Sequence, residues 1–492
     1  MSLRIFNSQS KQKEPFLPLN PPKVGIYVCG VTVYDSCHIG HARSMIVFDV
    51  LVRYLRFKGF QVTYVRNFTD IDDKIINRAQ QEGINTQDLA EKFIQEFVLD
   101  MKALDVSSPD VEPRATTHIP DIISLVQKLI AQGVAYEEEG DVFFSVEKFS
   151  PYGALSNRTL EEMQAGARIE VNPNKHHPMD FALWKKGKPG EPIWESPWGP
   201  GRPGWHIECS AMSSRYLGET FDIHGGGKDL IFPHHENELA QSMAVSSKPL
   251  ARYWVHNGFV TINGEKMSKS LGNFLTIQNM VRRFHPEAIR LFLLSRHYRS
   301  PVDYSDQAMQ EAQTGLFRLY TLLKDLGQPE ERFHLQGREP LTPERLQEIE
   351  AAVNHFSENV QKALDDDLNT AQAIGYMYEL ARQLNRLMDS LRPKELKKLA
   401  DLFNQAMGLF QQYGRILGVL SSAPQEFLDQ EQGRLLEKKG LSVETIESLI
   451  AERNQARVKK DWAKADALRD HLTNMKIILK DGPQGTVWQV EE

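Results

Sequence analysis

The chain has 492 residues, 41% of them hydrophobic and 25% charged, with a formal net charge of −7. That length implies about three domains, each able to bury its own core, and the ordinary globular usage excludes a disordered, collagenous or disulfide-stapled chain. No apolar stretch approaches the ~20 residues of a membrane span, and Met1 to Asn7 lack the apolar run of a secretory signal.

A cytoplasmic protein with no membrane partner is therefore expected. The acidic balance gives no global field for nucleic acid, so any such partner must be met by a local basic face. Three cysteines, Cys29, Cys37 and Cys209, cannot close a disulfide framework. Metal ligation or reactivity is the better use.

Gly25 to Cys29 is a short apolar run closed by Gly30. From His41 to Lys58, Met45, Phe48, Val52 and Leu55 recur at the three- and four-residue spacing of an amphipathic helix, which Gly59 ends. A second strand-like run, Gln61 to Phe68, follows. Strand, helix and strand in this order predict a right-handed βαβ unit of a parallel sheet, whose ligands sit beyond the carboxyl ends of the strands, where Gly30 and Thr69 fall.

Residues 103–204 change character: a helix near Pro120 to Gln132, a hairpin-like Glu137 to Val146, then a stretch dense in Pro, Gly and Trp. They read as an insertion between two halves of the sheet domain, 1–102 and 205–304. The alternating run Trp254 to Ile262 meets the turn signal Asn263-Gly264. Residues 305–420 are helical, broken near Gly327 to Pro340 and at Pro393, and predict a bundle. After a linker at Ser421 to Pro424, residues 425–492 form a small mixed domain. The fold class expected is α/β: a Rossmann-type parallel-sheet domain with an insertion, then a helical bundle and a small C-terminal domain.

Two motifs suit phosphate chemistry, though taken singly each also reads as capping histidines or a solvated Lys/Ser loop. In His38-Ile39-Gly40-His41, two imidazoles at a helix N-terminus can donate hydrogen bonds to phosphate, and Gly40 lets a flat ring approach the backbone. In Lys266-Met267-Ser268-Lys269-Ser270, Lys266 and Lys269 bracket small residues on a loop and can neutralise charge growing on a leaving pyrophosphate. A third motif, Pro233-His234-His235-Glu236-Asn237-Glu238, sets His234 and Glu238 four apart, a spacing for two ligands of one metal. Cys29 and Cys209 could complete such a site, but spacing across distant segments leaves that open.

The first two motifs together resemble the signature sequences of the class I aminoacyl-tRNA synthetases, which activate an amino acid with ATP on a Rossmann-type domain. Tyr27-Val28-Cys29-Gly30, Gly204-Trp205-His206-Ile207-Glu208-Cys209, Asp222 to Glu238, Asp365 to Thr370 and Gly485 to Trp488 are similar to the cysteinyl-tRNA synthetase family over essentially the whole chain. The resemblance implies one Zn2+ per chain on Cys29, Cys209, His234 and Glu238, and a cysteine pocket lined by Thr69, Trp205, His224 and Asp229. It further implies ATP with Mg2+ as co-substrate, bound by His38, Gly40, His41, Lys266, Ser268 and Lys269. The catalytic residues it implies are His38, His41, Lys266 and Lys269.

The partners implied are tRNA(Cys), L-cysteine and ATP, and a monomer is expected. Between Ala451 and Asp470 the cations Arg453, Arg457, Lys459, Lys460, Lys464 and Arg469 outnumber Glu452, Asp461, Asp466 and Asp470. With Trp462 on one expected helix, they suit single-stranded loop bases, and the resemblance makes this tail the anticodon reader.

Lys476 stands where family members often carry Gly, a departure at one turn, and Cys37 is read as packing. Two rivals remain: a related ligase of thiol-cofactor biosynthesis, which joins cysteine to an amino-sugar inositol, and a non-catalytic zinc-stabilised tRNA-binding protein.

Overall fold

The computed structural model describes residues 2–162, 173–267, 274–332, 341–391, 393–482 and 485–490. The chain divides into two compact units: Met1–Met309 with Gln361–Ala373 and Ile416–Gly418, and Gln310–Val360 with Ile374–Arg415 and Val419–Glu492.

In the first unit β1 (Arg4–Asn7) and β2 (Gln12–Pro15) form a hairpin, and β3 (Lys23–Thr32), α1 (Ile39–Phe57) and β4 (Gln61–Thr69) form the expected βαβ unit. Helices α2 (Asp73–Glu82), α3 (Thr86–Ala103) and α4 (Ile119–Ala131) follow. Strands β5 (Ala135–Glu138), β6 (Asp141–Phe144), β7 (Phe181–Lys186) and β8 (Gly201–Pro203) make a separate antiparallel sheet. The chain then returns through α5 (Trp205–Leu217), β9 (Phe221–Gly227), α6 (Glu236–Ser246) and β10 (Ala251–Asn257).

The main sheet is wholly parallel in the order β10-β9-β3-β4. Its order reverses between β3 and β9, which pair at Tyr27 with His224 and Val28 with Gly225. The carboxyl ends of those two strands are the crevice where an open α/β sheet binds its ligand.

Helix α1 differs from the amphipathic expectation. Met45, Phe48, Val52 and Leu55 are buried, and so are Ile46, Val47, Val50 and Leu51 on the other faces, together with the charges of Arg43 and Asp49. Of these two buried charges Asp49 is paired, accepting Arg290 Nη2 at 2.7 Å and Arg53 Nε at 3.0 Å, whereas Arg43 meets backbone carbonyls.

The run Trp254 to Ile262 is also two strands and not one: β10 ends at Asn257 and β11 (Val260–Ile262) begins after Gly258-Phe259. β11 pairs with β12 (Glu265–Lys266) across the Asn263-Gly264 turn and, in parallel, with β13 (Val302–Tyr304), which follows α7 (Ile277–Arg283) and α8 (Pro286–Leu294).

The second unit contains helices Pro343–Asp365, Thr370–Ser390 and Pro393–Leu417 in large part, then Pro424–Lys439, Val443–Val458 and Trp462–Asn474, and ends in the antiparallel pair β14 (Ile477–Gly482) and β15 (Gly485–Val490). Phe427 stacks on Tyr320 at 3.8 Å between ring centroids, and Gln313 Nε2 donates to Glu431 at 2.8 Å. Among the described residues no helix is long and apolar enough to cross a membrane.

Candidate functional site

The crevice gathers two thiols, an imidazole and a carboxylate. The pairing of β3 with β4 shifts register between Val28 and Val31, so Cys29 and Gly30 lie at a bulge, a device that re-aims side chains at strand ends. Gly30 donates its N–H to Asn67 Oδ1 at 2.9 Å, and a Cβ there would fall 1.7 Å from the Asn67 carbonyl oxygen, so no larger residue fits. Cys209 comes from the second turn of α5, His234 from the kinked turn before α6, and Glu238 from the first turn of α6.

Cys29 Sγ lies 3.6 Å from Cys209 Sγ, 3.5 Å from His234 Nε2 and 3.2 Å from Glu238 Oε1, and His234 Nε2 lies 2.9 Å from Glu238 Oε1. All four side chains are buried. A tetrahedron with metal–sulfur bonds of about 2.3 Å has a sulfur–sulfur edge of roughly 3.8 Å, so this donor set fits a thiophilic divalent metal. Cys29 and Glu238 also share a second donor set with His224 and His235, but two sulfurs favour the first for a borderline-soft ion.

Electrostatics follow the burial. Burial, then Cys209 and Glu238, pushes the Cys29 thiol well up, while the hydrogen bond from Cys29 brings Cys209 down to about 6. Burial works against a charge on His234, yet the Glu238 carboxylate raises it to about 10. Glu238 itself is held well below its usual range by His224 and His234 against the cost of burial.

The surroundings are largely histidine. His206 Nδ1 is 2.9 Å from His234 Nδ1, and His224 Nε2 is 2.8 Å from Glu238 Oε2. His235 Nδ1 is 2.8 Å from His256 Nε2, whose Nδ1 reaches Ser8 Oγ at 2.8 Å. Trp205, 38% exposed, lies over the His234 ring at 4.3 Å.

Of the other pocket residues, Thr69 is buried at the end of β4 and His224 is buried on β9, stacked on Trp254 at 4.4 Å. Asp229 is exposed on the turn after β9, its carboxylate lying against Gly227.

On the nucleotide side, His38 is the N-cap of α1 and not part of its first turn. Its Nδ1 accepts the N–H groups of Gly40 and His41, His41 Nδ1 accepts that of His38, and the rings stack at 3.7 Å. The space over Gly40 is filled by the His38 ring. Burial lowers His38 to about 4 and His41 to about 3, the latter also through His38, so both imidazoles are neutral near pH 7. Lys266 closes β12 opposite Thr261, while Ser268 and Lys269 lie outside the described residues.

In the tail, Val458 to Asp466 is not one helix. Lys460 takes φ +61° between helices Val443–Val458 and Trp462–Asn474, and Asp461 caps the second by accepting the Lys464 N–H. Trp462 is 60% exposed beside these cations. The local charge pattern could have flagged the break, because Asp followed by Trp-Ala-Lys is a cap signal.

Residues that sequence reasoning passed over are Asn67, His206, His235 and His256, scattered polar positions that become a shell once the parallel sheet forms. The histidine-rich segments Trp205-His206 and His234-His235 carried the available signal.

Residues 15–314 match the tRNA synthetases class I (C) catalytic domain, 359–421 the DALR domain, and 441–488 the cysteinyl-tRNA ligase anticodon binding domain. The cysteine–tRNA ligase of Geobacter metallireducens is 53% identical over 491 residues, and that of Geotalea uraniireducens 53% identical over 495, each covering 100% of both chains. Methionyl-tRNA synthetase of Mycobacterium tuberculosis in complex with methionyl-adenylate shares the fold with a TM-score of 0.62 at 17% identity, over 83% of this chain and 93% of that one. On family models spanning its catalytic and anticodon-binding regions and relatives alike from end to end, the chain belongs to the cysteine–tRNA ligase family of class I aminoacyl-tRNA synthetases.

Proposed function

We propose that this chain joins L-cysteine to tRNA(Cys) in two steps. ATP and cysteine give cysteinyl-adenylate and pyrophosphate, and the cysteinyl group then passes to the acceptor end of the tRNA. The observation that carries this reading is the convergence of Cys29, Cys209, His234 and Glu238 within 4.8 Å of one another in a chain of this family.

One Zn2+ per chain suits that donor set, and when bound it supplies affinity for a thiolate that a serine hydroxyl, which ionises far less readily, does not match. Trp205, Thr69, His224 and Asp229 would form the cysteine pocket, with the indole over His234 shutting water from the sulfur. His38 and His41, neutral at pH 7, would each donate one N–H to the ATP phosphates, with Mg2+ accompanying the nucleotide. Lys266 and Lys269, with Ser268 between them, would neutralise the departing pyrophosphate, charge that grows only in the transition state. The basic tail around Trp462 would read the anticodon by stacking and phosphate contacts, and the enzyme would act as a cytoplasmic monomer.

The match of residues 441–488 to an anticodon binding domain disfavours the thiol-cofactor ligase, which has no use for one. Aminoacylation of bulk tRNA with each labelled amino acid tests the reading: cysteine alone should be transferred. Transfer of serine at a comparable rate, or cysteine-dependent pyrophosphate exchange without any tRNA charging, would overturn it.

A further inference from the structure

Arg43 lies two residues past His41 on α1, is fully buried, and meets no carboxylate. Its hydrogen bonds all leave from one nitrogen: Nη2 donates to the carbonyls of His297 at 3.3 Å, Tyr298 at 3.1 Å and Ser300. Nε and Nη1 find no acceptor. A buried guanidinium whose charge is met only by three carbonyl dipoles is costly, and all it secures is the turn at 297–300.

That turn is the root of the sheet bearing the lysine loop. Gly258 donates its N–H to the Tyr298 carbonyl at 2.8 Å, and a Cβ on Gly258 would fall 2.6 Å from the Ser300 oxygen, so the turn is pressed against the end of β10. Two residues after Ser300, β13 begins, pairing Val302 with Val260, Asp303 with Thr261 and Tyr304 with Ile262. β11 in turn pairs Thr261 with Lys266. Asp303 Oδ1 ties the hairpin further by accepting Thr261 Oγ1 at 2.7 Å and the Gly264 N–H at 2.8 Å.

The other flank of the loop returns to the same helix. Ile39 donates its N–H to the Leu275 carbonyl at 3.0 Å, and Ile277 donates to the Cys37 carbonyl at 2.9 Å. The start of α1 thus grips the segment downstream of Lys266, and Arg43 grips the upstream side through β13.

We propose that Arg43 is a positioning residue for adenylate formation: by fixing the 297–300 turn it sets where the β11–β12 hairpin holds the backbone of Lys266 relative to the start of α1, which carries His38 and His41. The inference rests on the ligase reading, in which that lysine and those histidines act on the same phosphates. Arg43 touches no reacting atom. Its effect is on the spacing of two groups of side chains, and misplacement by about 1 Å can cost on the order of 100-fold in rate.

The test is a double-mutant cycle in cysteine-dependent pyrophosphate exchange with the full chain, pairing Arg43→Met with Asp303→Ala, whose side chain is exposed and whose loss leaves the core intact. Arg43→Met should lower kcat roughly 10- to 100-fold while KM for cysteine stays within about 2-fold. Arg43→Lys, with three ammonium donors for three carbonyls, should recover most of that loss. Asp303→Ala should lower kcat on the order of 5-fold, and the double variant should be no slower than Arg43→Met alone, since both changes break one path.

A double variant slowed by the product of the two single effects, or a KM for cysteine that rises as kcat falls, would overturn the proposal. If Arg43→Met does not fold, Arg43→Gln, which cannot bridge three carbonyls, takes its place in the cycle with the same criterion. Absence of exchange in the unsubstituted chain would strike the ligase reading instead.

Discussion

His224 Nε2 lies 2.8 Å from Oε2 of Glu238, leaving Oε1 of the same carboxylate to face His234 and Cys29. The imidazole therefore fixes which oxygen is presented to a metal. Outer groups of this kind typically hold 10- to 100-fold of metal affinity, so His224→Ala should lose zinc to a chelator on the order of 10-fold more readily. Equal retention in competition with a chromogenic chelator would show that Glu238 needs no such support.

The donor set makes a sharper prediction. Cys209→Ser and His234→Ala each remove a ligand from a closed cluster, and both purified proteins should carry far less than one zinc per chain and lose cysteine activation together. Metal analysis by emission spectroscopy reads the first quantity, and full occupancy in both variants would refute the assignment of Cys29, Cys209, His234 and Glu238.

The neutral histidines predict a pH dependence of stability. His38 and His41 titrate in the fold at about 4 and about 3, both lowered first by burial, against roughly 6.5 in an unfolded chain. Between those values the unfolded chain binds more protons, so stability is full above pH 6.5 and falls as pH drops toward 4. The urea midpoint should decline over that window, and His41→Asn should flatten the decline. An unchanged slope in that variant would mean that other groups carry the effect.

Lys476 follows the helix Trp462–Asn474 with φ +64°, its N–H donated to the Thr473 carbonyl at 2.9 Å. A left-handed residue just past a helix end favours glycine, so Lys476→Gly should raise stability by roughly 0.5–1 kcal/mol. The measurement is the denaturant midpoint at constant slope, and a lower midpoint would show that the lysine side chain contributes more than the backbone strain removes.

Removal of the tail separates binding from chemistry. A cut at the linker Ser421 would strip Phe427 from Tyr320 and Glu431 from Gln313, so a chain ending at Gly440 is the cleaner variant. It should keep cysteine-dependent pyrophosphate exchange and lose most tRNA charging. Charging equal to that of the full chain would deny the tail a part in tRNA binding.

The βαβ unit was legible because its signals are local: the apolar run before Gly30, the periodic helix and Gly59. The gathering of these four donors was legible in part, since His234 and Glu238 share a short segment, whereas joining Cys29 and Cys209 to them needed the family resemblance. What escaped were long-range effects. Periodicity marks Met45 and Phe48 as apolar but does not say that α1 is covered on every side, because that depends on what later segments pack there. The break at Gly258 was hidden by apolar neighbours that keep alternating across it, and its cause is the 297–300 turn pressing on the strand end. Asn67 and Arg43 act through carbonyl and amide groups of distant residues, contacts that leave no pattern in the chain.

Cys29 and Cys209 are separated by 180 positions, and the other two donors come later still, on the far side of the antiparallel insertion. A nascent chain therefore emerges with Cys29 alone of the four donors, and they cannot meet until the second half of the parallel sheet has been made and docked beside the first. Closing a loop of that size is slow compared with forming local structure, so the four donors come together late, and any metal they take would be captured only after the sheet has assembled.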